Sequence, residues 1–197
     1  HDRDPLLSVI YDKLRVREYA ATKVGTDCLP LLLWSGGIPE QIPFEQMPSK
    51  FVIKATHGCS YNIIVNEKTQ IDERRLRLQL ARWLKENYCL DRFLGIEWFY
   101  KNIKPSIIVE EFLEENGKAP TDYKFFCFNG RVEFITVHFD RFEKHTTRAV
   151  DSNFAPHEFR YQFEQYDGQL QRPPNFEAMV QLAEALAEGF DFIRVDL

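Results

Sequence analysis

The sequence lacks several patterns that identify common classes of protein. Its four cysteines, Cys28, Cys59, Cys89 and Cys127, are spaced too widely for a zinc site or a CxxC redox motif. No run of apolar residues approaches the ~18 positions that a membrane-spanning helix needs, and no signal peptide is visible. We therefore expect a soluble protein of the cytoplasm without membrane insertion, with its cysteines in the reduced form.

The chain also lacks an excess of positive charge. It carries 25 Lys and Arg against 30 Asp and Glu, which gives a formal net charge of −5 and a pI near 5.6. Binding to nucleic acid or to an anionic membrane surface needs clustered basic residues in excess, so we expect neither partner. A small anionic ligand needs only a local pocket of positive charge, so the net charge does not exclude a ligand of this kind.

Motifs of two nucleotide-using enzyme classes are missing as well. A protein kinase requires a GxGxxG loop, an HRD-type catalytic loop and a DFG-type metal loop, and none of the three occurs. A glycosyltransferase would show a DxD-like metal motif, but the residue two positions after Asp191 is Ile193. Both classes stay as alternatives to the function that the remaining residues indicate.

The residues that are present predict an α+β fold. Of the 197 residues, 44% are hydrophobic, enough to build the core of one domain or of two small lobes. Runs typical of antiparallel hairpins alternate with amphipathic helical segments, which indicates the α+β class. The clearest hairpin has Asn129-Gly130 between two apolar runs, a pair that tolerates the positive φ values of a type I′ turn.

Local patterns assign the elements along the chain. We predict helices over 5–24 (or, alternatively, a second helix that Asp12 caps and Gly25 ends), over 73–88 after Asp72, and from Asn175 to Gly189. We predict strands over 28–34, 51–54, 61–65, 106–113, 122–128, 131–139 and 191–197. The proline-containing segment 36–50 is predicted to be an extended connector, and residues 140–172 to be polar and irregular.

Charged residues occur at unusual places in these apolar strands. Lys54 ends the strand 51–54, Glu110 and Glu111 end the strand 106–113, Lys124 lies among aromatic residues, and Arg194 and Asp196 alternate along the last strand. Each placement has an ordinary explanation, such as a snorkelling lysine or the wet face of an edge strand. Together they are typical of a site for a polyphosphate.

A glycine-containing turn follows Lys54 and strengthens this interpretation. The turn consists of Thr56, His57, Gly58, Cys59 and Ser60, and Gly58 would let main-chain N–H groups approach a phosphate closely. The buried strand that ends at Glu110 and Glu111 would offer main-chain groups to an adenine edge. Magnesium requires carboxylates near the phosphates, and Asp196 is a candidate.

The ordered set of these motifs resembles the ATP-grasp fold, and more narrowly the TupA-like ATP-grasp family of cell-envelope and exopolysaccharide synthesis. The resemblance extends from residues 12–19 to Leu197. It implies two α+β lobes with the nucleotide between antiparallel sheets, and it implies that the last strands of the fold are missing. The corresponding boundaries are an N-terminal segment 1–48, a first lobe 49–113 and a truncated second lobe 114–197, as expected for a fragment or a trimmed chain.

The resemblance also implies roles for residues that match the family motifs. Lys54 would contact the α- and β-phosphates, and the 56–60 turn would be the glycine loop over them. Glu110, Glu111, Phe112 and Leu113 would form the hinge beside adenine, and either Glu114 or Glu115 would bind ribose. Lys124 would face the phosphates from the second lobe. Arg194 would steady the transferred phosphate, and Asp196 would be the first magnesium ligand, with the others expected beyond Leu197.

The function implied is an ATP- and Mg²⁺-dependent ligase that joins a carboxylate to an amine through an acyl phosphate. Its partners would be a small-molecule or saccharide carboxylate and an amine. A non-catalytic nucleotide-binding relative is a further alternative. Arginines and acids of the polar stretch are candidates for substrate binding: Asp140, Arg141, Arg148 and Asp151. His57 as a base, Cys59 as a nucleophile and a metal site at His138 and His145 are weaker hypotheses than packing or hydrogen-bonding roles.

Overall fold

The computed structural model describes residues 4–91, 97–114, 120–139 and 144–197. The chain divides into two compact units, His1–Leu113 and Glu114–Leu197. The helices are α1 (Pro5–Ile10), α2 (Arg15–Val24), α3 (Glu73–Trp83), α4 (Tyr88–Asp91) and α5 (Phe176–Ala187). The strands are β1 (Leu32–Gly36), β2 (Phe51–Ala55), β3 (Asn62–Val65), β4 (Ile107–Glu111), β5 (Asp122–Phe128), β6 (Arg131–Phe139), β7 (Thr146–Val150), β8 (Glu164–Gln165) and β9 (Phe192–Asp196). The α+β class is confirmed.

The first helical region is two helices, in agreement with the alternative prediction. Oδ1 of Asp12 accepts hydrogen bonds from the N–H groups of Leu14 at 2.9 Å and Arg15 at 3.3 Å, which satisfies free donors at the start of α2. Gly25 ends this helix with φ of +82°, a conformation that favours glycine. The break sets the start of α2, and with it the positions of the cations that follow Asp12.

The first unit is built on a four-stranded antiparallel sheet of order β1-β4-β2-β3. One face of β2 and β4 carries Phe51, Ile53 and Val109, which are buried in the core with apolar residues of α3. Side chains alternate across a strand, so Lys54 and Glu110 belong to the opposite face. The sheet therefore places two charged residues on its two central strands.

Two predictions in this unit were wrong. The segment 36–50 is not extended but contains two 3₁₀ turns, Pro39–Gln41 and Phe44–Gln46. The guanidinium of Arg77 donates to the carbonyls of Pro39 and Ile42, and the connector buries apolar side chains of its own. These long-range contacts fold the connector against α3. Arg77 is thus partly buried. The sequence pattern of the helix, in which the basic residues lie away from the apolar face, predicts that they are solvated.

Other boundaries shifted by a few residues. α3 ends at Trp83 rather than at residue 88, because i→i+3 hydrogen bonds from Lys85 and Glu86 tighten the chain there. β1 starts at Leu32 and reaches Gly36, so the predicted strand 28–34 began too early. The start of α3 is as predicted, since Oδ1 of Asp72 accepts from the Arg75 N–H at 3.0 Å.

The second unit is a five-stranded sheet of order β8-β7-β6-β5-β9. The predicted hairpin of β5 and β6 is confirmed, and its turn residues have φ of +50° at Asn129 and +75° at Gly130. β9 pairs with β5 in antiparallel register. The prediction of irregular structure over 140–172 was wrong where β7 forms, because pairing with β6 along the whole length of β7 overrides its polar composition.

Helix α5 covers one face of this sheet and leaves the polar side chains on the other. Phe125 of β5 and Val195 of β9 are buried beneath α5, whereas Lys124 and Asp196 point to the opposite face. Asn175 occupies the N-cap position of α5, but its side chain makes no capping hydrogen bond. Across the described ranges, none of the helices combines the length and apolar character needed to span a bilayer.

Candidate nucleotide site

The turn between β2 and β3 is anchored by two of the residues predicted to face the nucleotide. The N–H of Thr56 donates to the Ser106 carbonyl at 2.9 Å, and the Ser106 N–H donates to Oγ1 of Thr56 at 3.2 Å. Nε2 of His57 donates to the Trp83 carbonyl at 2.8 Å. Burial lowers the pKa of His57, so this ring is neutral. Both side chains are buried and hold the turn in place, and their contact with a nucleotide stays a prediction.

The remainder of the turn has the features of an anion cradle. Gly58 is buried against Tyr88, and a Cβ there would lie 2.5 Å from Cδ2 of that ring. Cys59 and Ser60 are exposed, and Ser60 has φ of +60°. Each of residues 57–60 carries a main-chain N–H group, and that of Cys59 is hydrogen-bonded to Tyr88. Consecutive N–H groups of this kind bind anions.

Lys13 reaches the same turn from the segment before α2. Its ammonium donates to the carbonyl of Ala55 at 3.2 Å and to the carbonyl of Gly58. Its main-chain N–H donates to the Thr56 carbonyl at 3.3 Å. Burial, followed by the charge of Lys54, lowers the pKa of Lys13, although nearby acidic groups partly oppose both effects. Lys13 thus fixes carbonyls of the turn with a buried cation.

Lys54 and Glu110 form an ion pair on the face of the first sheet opposite Phe51 and Ile53. Nζ of Lys54 lies 2.7 Å from Oε2 of Glu110, and Nη1 of Arg17 in α2 lies 2.5 Å from Oε1. Nη2 of Arg17 also donates to the carbonyl of Pro30 at 2.5 Å. The Glu110 side chain is only 6% exposed and its carboxylate is held between these two cations.

The residues after Glu110 were predicted to meet the base. Glu111 is already paired to the segment before β1, because its N–H donates to the Leu31 carbonyl at 3.0 Å and its Oε1 accepts from the Leu31 N–H at 2.6 Å. Nζ of Lys50 lies over the ring of Phe112, 6.0 Å from the ring centroid. Leu113 is about half exposed. The base contacts of these residues stay a prediction.

The second unit holds a separate cluster around Lys124. Nζ of Lys124 lies 2.8 Å from Oδ2 of Asp196 and 2.9 Å from Oδ2 of Asp122. Arg194 forms a forked pair with Asp196, from Nε to Oδ1 at 2.6 Å and from Nη2 to Oδ2 at 2.9 Å. The pairing of β5 with β9 sets Lys124 opposite Asp196 in register. Three of the predicted site residues therefore form one hydrogen-bonded group.

The ionisation of Asp196 follows from this environment. Partial burial raises the pKa of Asp196, but the hydrogen bonds from Arg194 and Lys124 outweigh it and hold the pKa below its ordinary value. The carboxylate is thus charged at neutral pH. Both of its oxygens accept hydrogen bonds from cations, which makes an ion-pair role the one supported by the geometry.

Sequence reasoning missed Lys13 and Arg17 as members of the site. Both belong to the segment 12–19 that carried part of the family resemblance, but their spacing on a helix gives no sign of a contact with β2 or β4. Glu114 is exposed, whereas Glu115 lies outside the described residues. The choice of a ribose-binding acid therefore stays a prediction.

Candidates in the polar stretch have structural partners. Oδ1 of Asp151 accepts from the N–H groups of Asn153 and Ala155, both at 2.8 Å, which stabilises a turn. Nδ1 of His138 and Nε2 of His145 share a hydrogen bond of 2.9 Å. Among the described residues, no three His, Cys, Asp or Glu side chains lie close enough together to hold a metal ion. Arg148 lies in β7, and Asp140 and Arg141 fall outside the described residues.

These groups can be tested against the chemistry of ATP and magnesium. A cation at the turn (Lys13), another on the strand before it (Lys54) and the N–H groups of the turn itself suit the phosphates of a nucleotide. Magnesium is usually held by one or two carboxylates together with phosphate oxygens. Asp196 and Asp122 are carboxylates of this type, and both contact the ammonium of Lys124. A magnesium role for Asp196 stays a prediction.

A family model described as TupA-like ATPgrasp matches residues 1–197. The chain belongs to the TupA-like ATP-grasp family. The resemblance expected from the motifs is thereby confirmed. No curated protein matches the chain.

Solved structures to which the chain is similar include ATP-grasp ligases. One is PsnB in complex with precursor peptide PsnA2 and AMPPNP, with 11% identity and a TM-score of 0.45. Another is PsnB with a minimal precursor, Mg and ADP, with 12% identity and a TM-score of 0.43. Each match covers 98% of this chain but only 46% and 47% of the other, so this TupA-like chain spans about half the length of the solved structures it matches.

Proposed function

We propose that this chain is part of an ATP-dependent ligase that activates a carboxylate as an acyl phosphate and joins it to an amine. The observation that carries the proposal is the group of cations around the 56–60 turn. Lys13 binds carbonyls of this turn, Lys54 lies on the strand just before it, and Arg17 shares the Glu110 carboxylate with Lys54, in a protein of net negative charge. Membership of the ATP-grasp family supports the same nucleotide role.

In this proposal the first unit binds the nucleotide. Lys54 contacts the α- and β-phosphates, and the N–H groups of the turn, including those of Cys59 and Ser60, face the phosphate oxygens. Thr56 and His57 hold the turn through their hydrogen bonds to Ser106 and Trp83. The adenine edge meets main-chain groups in 110–113.

The second unit supplies charge for the transferred phosphate. Lys124 and Arg194 are held by carboxylates of their own sheet, so the orientation of both cations is fixed before a ligand arrives. Preorganised cations of this kind stabilise an anionic transition state without a reorganisation cost. When bound, Mg²⁺ would neutralise charge on the phosphates, with Asp196 as the candidate protein ligand.

The reaction balances in two steps. A carboxylate oxygen attacks the γ-phosphorus, the bond to the β–γ bridging oxygen breaks, and ADP leaves with that electron pair. A neutral amine then attacks the acyl carbon, the C–O bond to phosphate breaks so that phosphate leaves with the electron pair, and the nitrogen loses one proton to solvent as the amide forms. No side-chain nucleophile is needed, because the chain's contribution is positioning and electrostatic stabilisation. A saccharide carboxylate, as in polysaccharide synthesis, is the substrate class we propose.

Thermal unfolding with added ligands tests the nucleotide half of this proposal. We expect ATP with Mg²⁺ to raise the melting temperature, because a ligand at a hundred times its Kd stabilises the folded state by about 2.7 kcal/mol. Lys54→Ala should lose most of this rise. Lys101→Ala, which removes an exposed lysine of the same unit, should keep it.

The same titration separates the alternatives. A rise with UDP-sugars and none with ATP would reject the ligase proposal in favour of a glycosyltransferase. ATP binding without formation of ADP, when the full-length protein is given candidate carboxylates and amines, would favour a non-catalytic nucleotide-binding relative. A response to neither ligand would reject nucleotide binding altogether.

A further inference from the structure

We infer that Glu110 is a positioning residue that sets Lys54 and Arg17 in place for phosphate binding. This inference rests on the proposed nucleotide function and adds to it a role for the side chain of Glu110, whereas the hinge prediction concerns main-chain groups. Its basis is the contact of Glu110 with two cations from different elements, one on β2 and one on α2.

The geometry of the sheet makes this contact specific. β2 and β4 are the two central strands, and Val52 lies opposite Glu110 in their antiparallel register. Lys54 is two residues further along β2 and therefore lies on the same face, diagonal to Glu110. The diagonal distance suits a long lysine side chain, whose Nζ reaches Oε2 at 2.7 Å. Glu110 is thus placed by its strand to meet Lys54.

Each oxygen of Glu110 has its own cation. Oε1 takes Nη1 of Arg17 at 2.5 Å, while Oε2 takes Nζ of Lys54 at 2.7 Å. Arg17 is fixed a second time by the Pro30 carbonyl. A lysine held at one oxygen keeps two further N–H donors on its ammonium. Lys54, whose side chain is 32% exposed, can therefore bind Glu110 and a phosphate oxygen together.

Burial explains why a carboxylate is needed at this position. Glu110 is 6% exposed and Arg17 is 15% exposed, so neither charge is well solvated. Two neighbouring cations without a carboxylate between them would repel each other in a region of low dielectric, and the lysine would turn away. Glu110 offsets that repulsion and orients both side chains.

A simple argument from charge predicts the opposite effect, which makes the inference testable. If Glu110 only competed with phosphate for the two cations, removing its negative charge would strengthen phosphate binding. If Glu110 positions the cations, removing the charge weakens binding. If Glu110 acts only on adenine, a phosphate ligand without a base is unaffected.

Calorimetric titration with ATP and with inorganic tripolyphosphate distinguishes these three cases. We expect Glu110→Gln to weaken both ligands about tenfold, the size of one charge-assisted hydrogen bond. Glu45→Gln removes the same charge from an exposed position in the same unit and should change neither affinity. Glu110→Asp keeps the charge on a shorter side chain and should recover part of the loss.

The outcomes are separable from those of the proposed function. Wild-type protein that binds neither ATP nor tripolyphosphate would reject the nucleotide proposal itself. Wild-type binding with unchanged or tighter tripolyphosphate binding in Glu110→Gln would overturn the positioning role. If Glu110→Gln does not fold, Glu110→Asp decides the question: weaker tripolyphosphate binding supports the role, and unchanged binding overturns it.

Discussion

At the residue scale, the first unit depends on charges that are removed from water in matched sets. Arg17 donates to Glu110 and to the Pro30 carbonyl. The first contact links α2 to β4, and the second links α2 to the segment before β1. A buried charge without a partner destabilises the fold strongly. In a buried ion pair, by contrast, the attraction between the charges is largely offset by the cost of desolvating them. The effect of truncating Arg17 therefore reports mainly on what is left unpaired.

We expect Arg17→Ala to lower the free energy of unfolding by about 2 kcal/mol, because one oxygen of a buried carboxylate loses its charged donor. Urea denaturation measures this change. Arg15→Ala, at an exposed position two residues earlier, should change the stability by less than about 0.5 kcal/mol. Equal losses of stability in the two variants would show that the contacts of Arg17 with Glu110 and Pro30 add nothing to what any arginine of α2 contributes.

His57 gives a pH dependence of known sign. Burial lowers its folded pKa below the ordinary value of 6.5, so the unfolded chain takes up a proton that the folded chain refuses. The contribution of His57 to the free energy of unfolding is therefore complete above about pH 6.5. It falls as the pH drops further, by up to about 1.4 kcal/mol per pH unit, until the folded pKa is reached.

Melting temperatures between about pH 7.5 and 5.5 test this expectation. The loss on acidification should be smaller in His57→Gln, which cannot take up the proton. His157→Gln, a histidine change in the other unit, should retain the wild-type loss. An identical slope in His57→Gln and wild type would contradict the assignment.

At the element scale, the features that sequence could predict are those set by neighbouring residues. The β5–β6 hairpin follows from Asn129-Gly130, and the start of α3 from Asp72. The 3₁₀ turns in 36–50 and the strand β7 depend on partners far along the chain, so local propensity did not reveal them. The same reason hid Arg17, whose partner is 93 residues away.

The glycine turn is an element whose packing can be tested directly. A Cβ at Gly58 would lie 2.5 Å from Cδ2 of Tyr88 and 3.0 Å from Cε2 of Tyr61, both too close. We expect Gly58→Ala to cost about 1–3 kcal/mol in urea denaturation, because the turn or the ring must move. Gly37→Ala, where a Cβ meets nothing within 4 Å, serves as the control.

Removing the obstructing ring should suppress the effect. In a Tyr88→Ala background, Gly58→Ala should cost measurably less than in wild type, because the space beside the turn is then open. Additive costs in the double variant would mean that Tyr88 does not set the requirement for glycine.

At the scale of the whole molecule, net charge and local charge have opposite signs. The chain carries −5 overall, yet its candidate site presents several lysines and arginines within hydrogen-bonding distance of carboxylates and carbonyls. A long polyanion experiences the overall charge, whereas a small anion experiences the site.

Ionic strength should therefore affect the two kinds of ligand differently. We expect ATP affinity to fall as NaCl rises from about 50 to 300 mM, because screening weakens exposed ion pairs. Duplex DNA should show no binding in a gel-shift assay over the same range. ATP affinity that is independent of salt would argue against a phosphate site built on Lys54.

The position of β9 has a consequence for how the protein matures. Asp196 meets Lys124 across 72 residues of chain, so the hairpin of β5 and β6 can form long before its third neighbour is synthesised. Until β9 is made, Lys124 can pair with Asp122 but not with Asp196. During that time the unpaired edge of β5 can pair with strands of other chains. A chaperone that shields this edge should therefore raise the yield of native protein, whereas ribosome pausing before β9 is made should lower it.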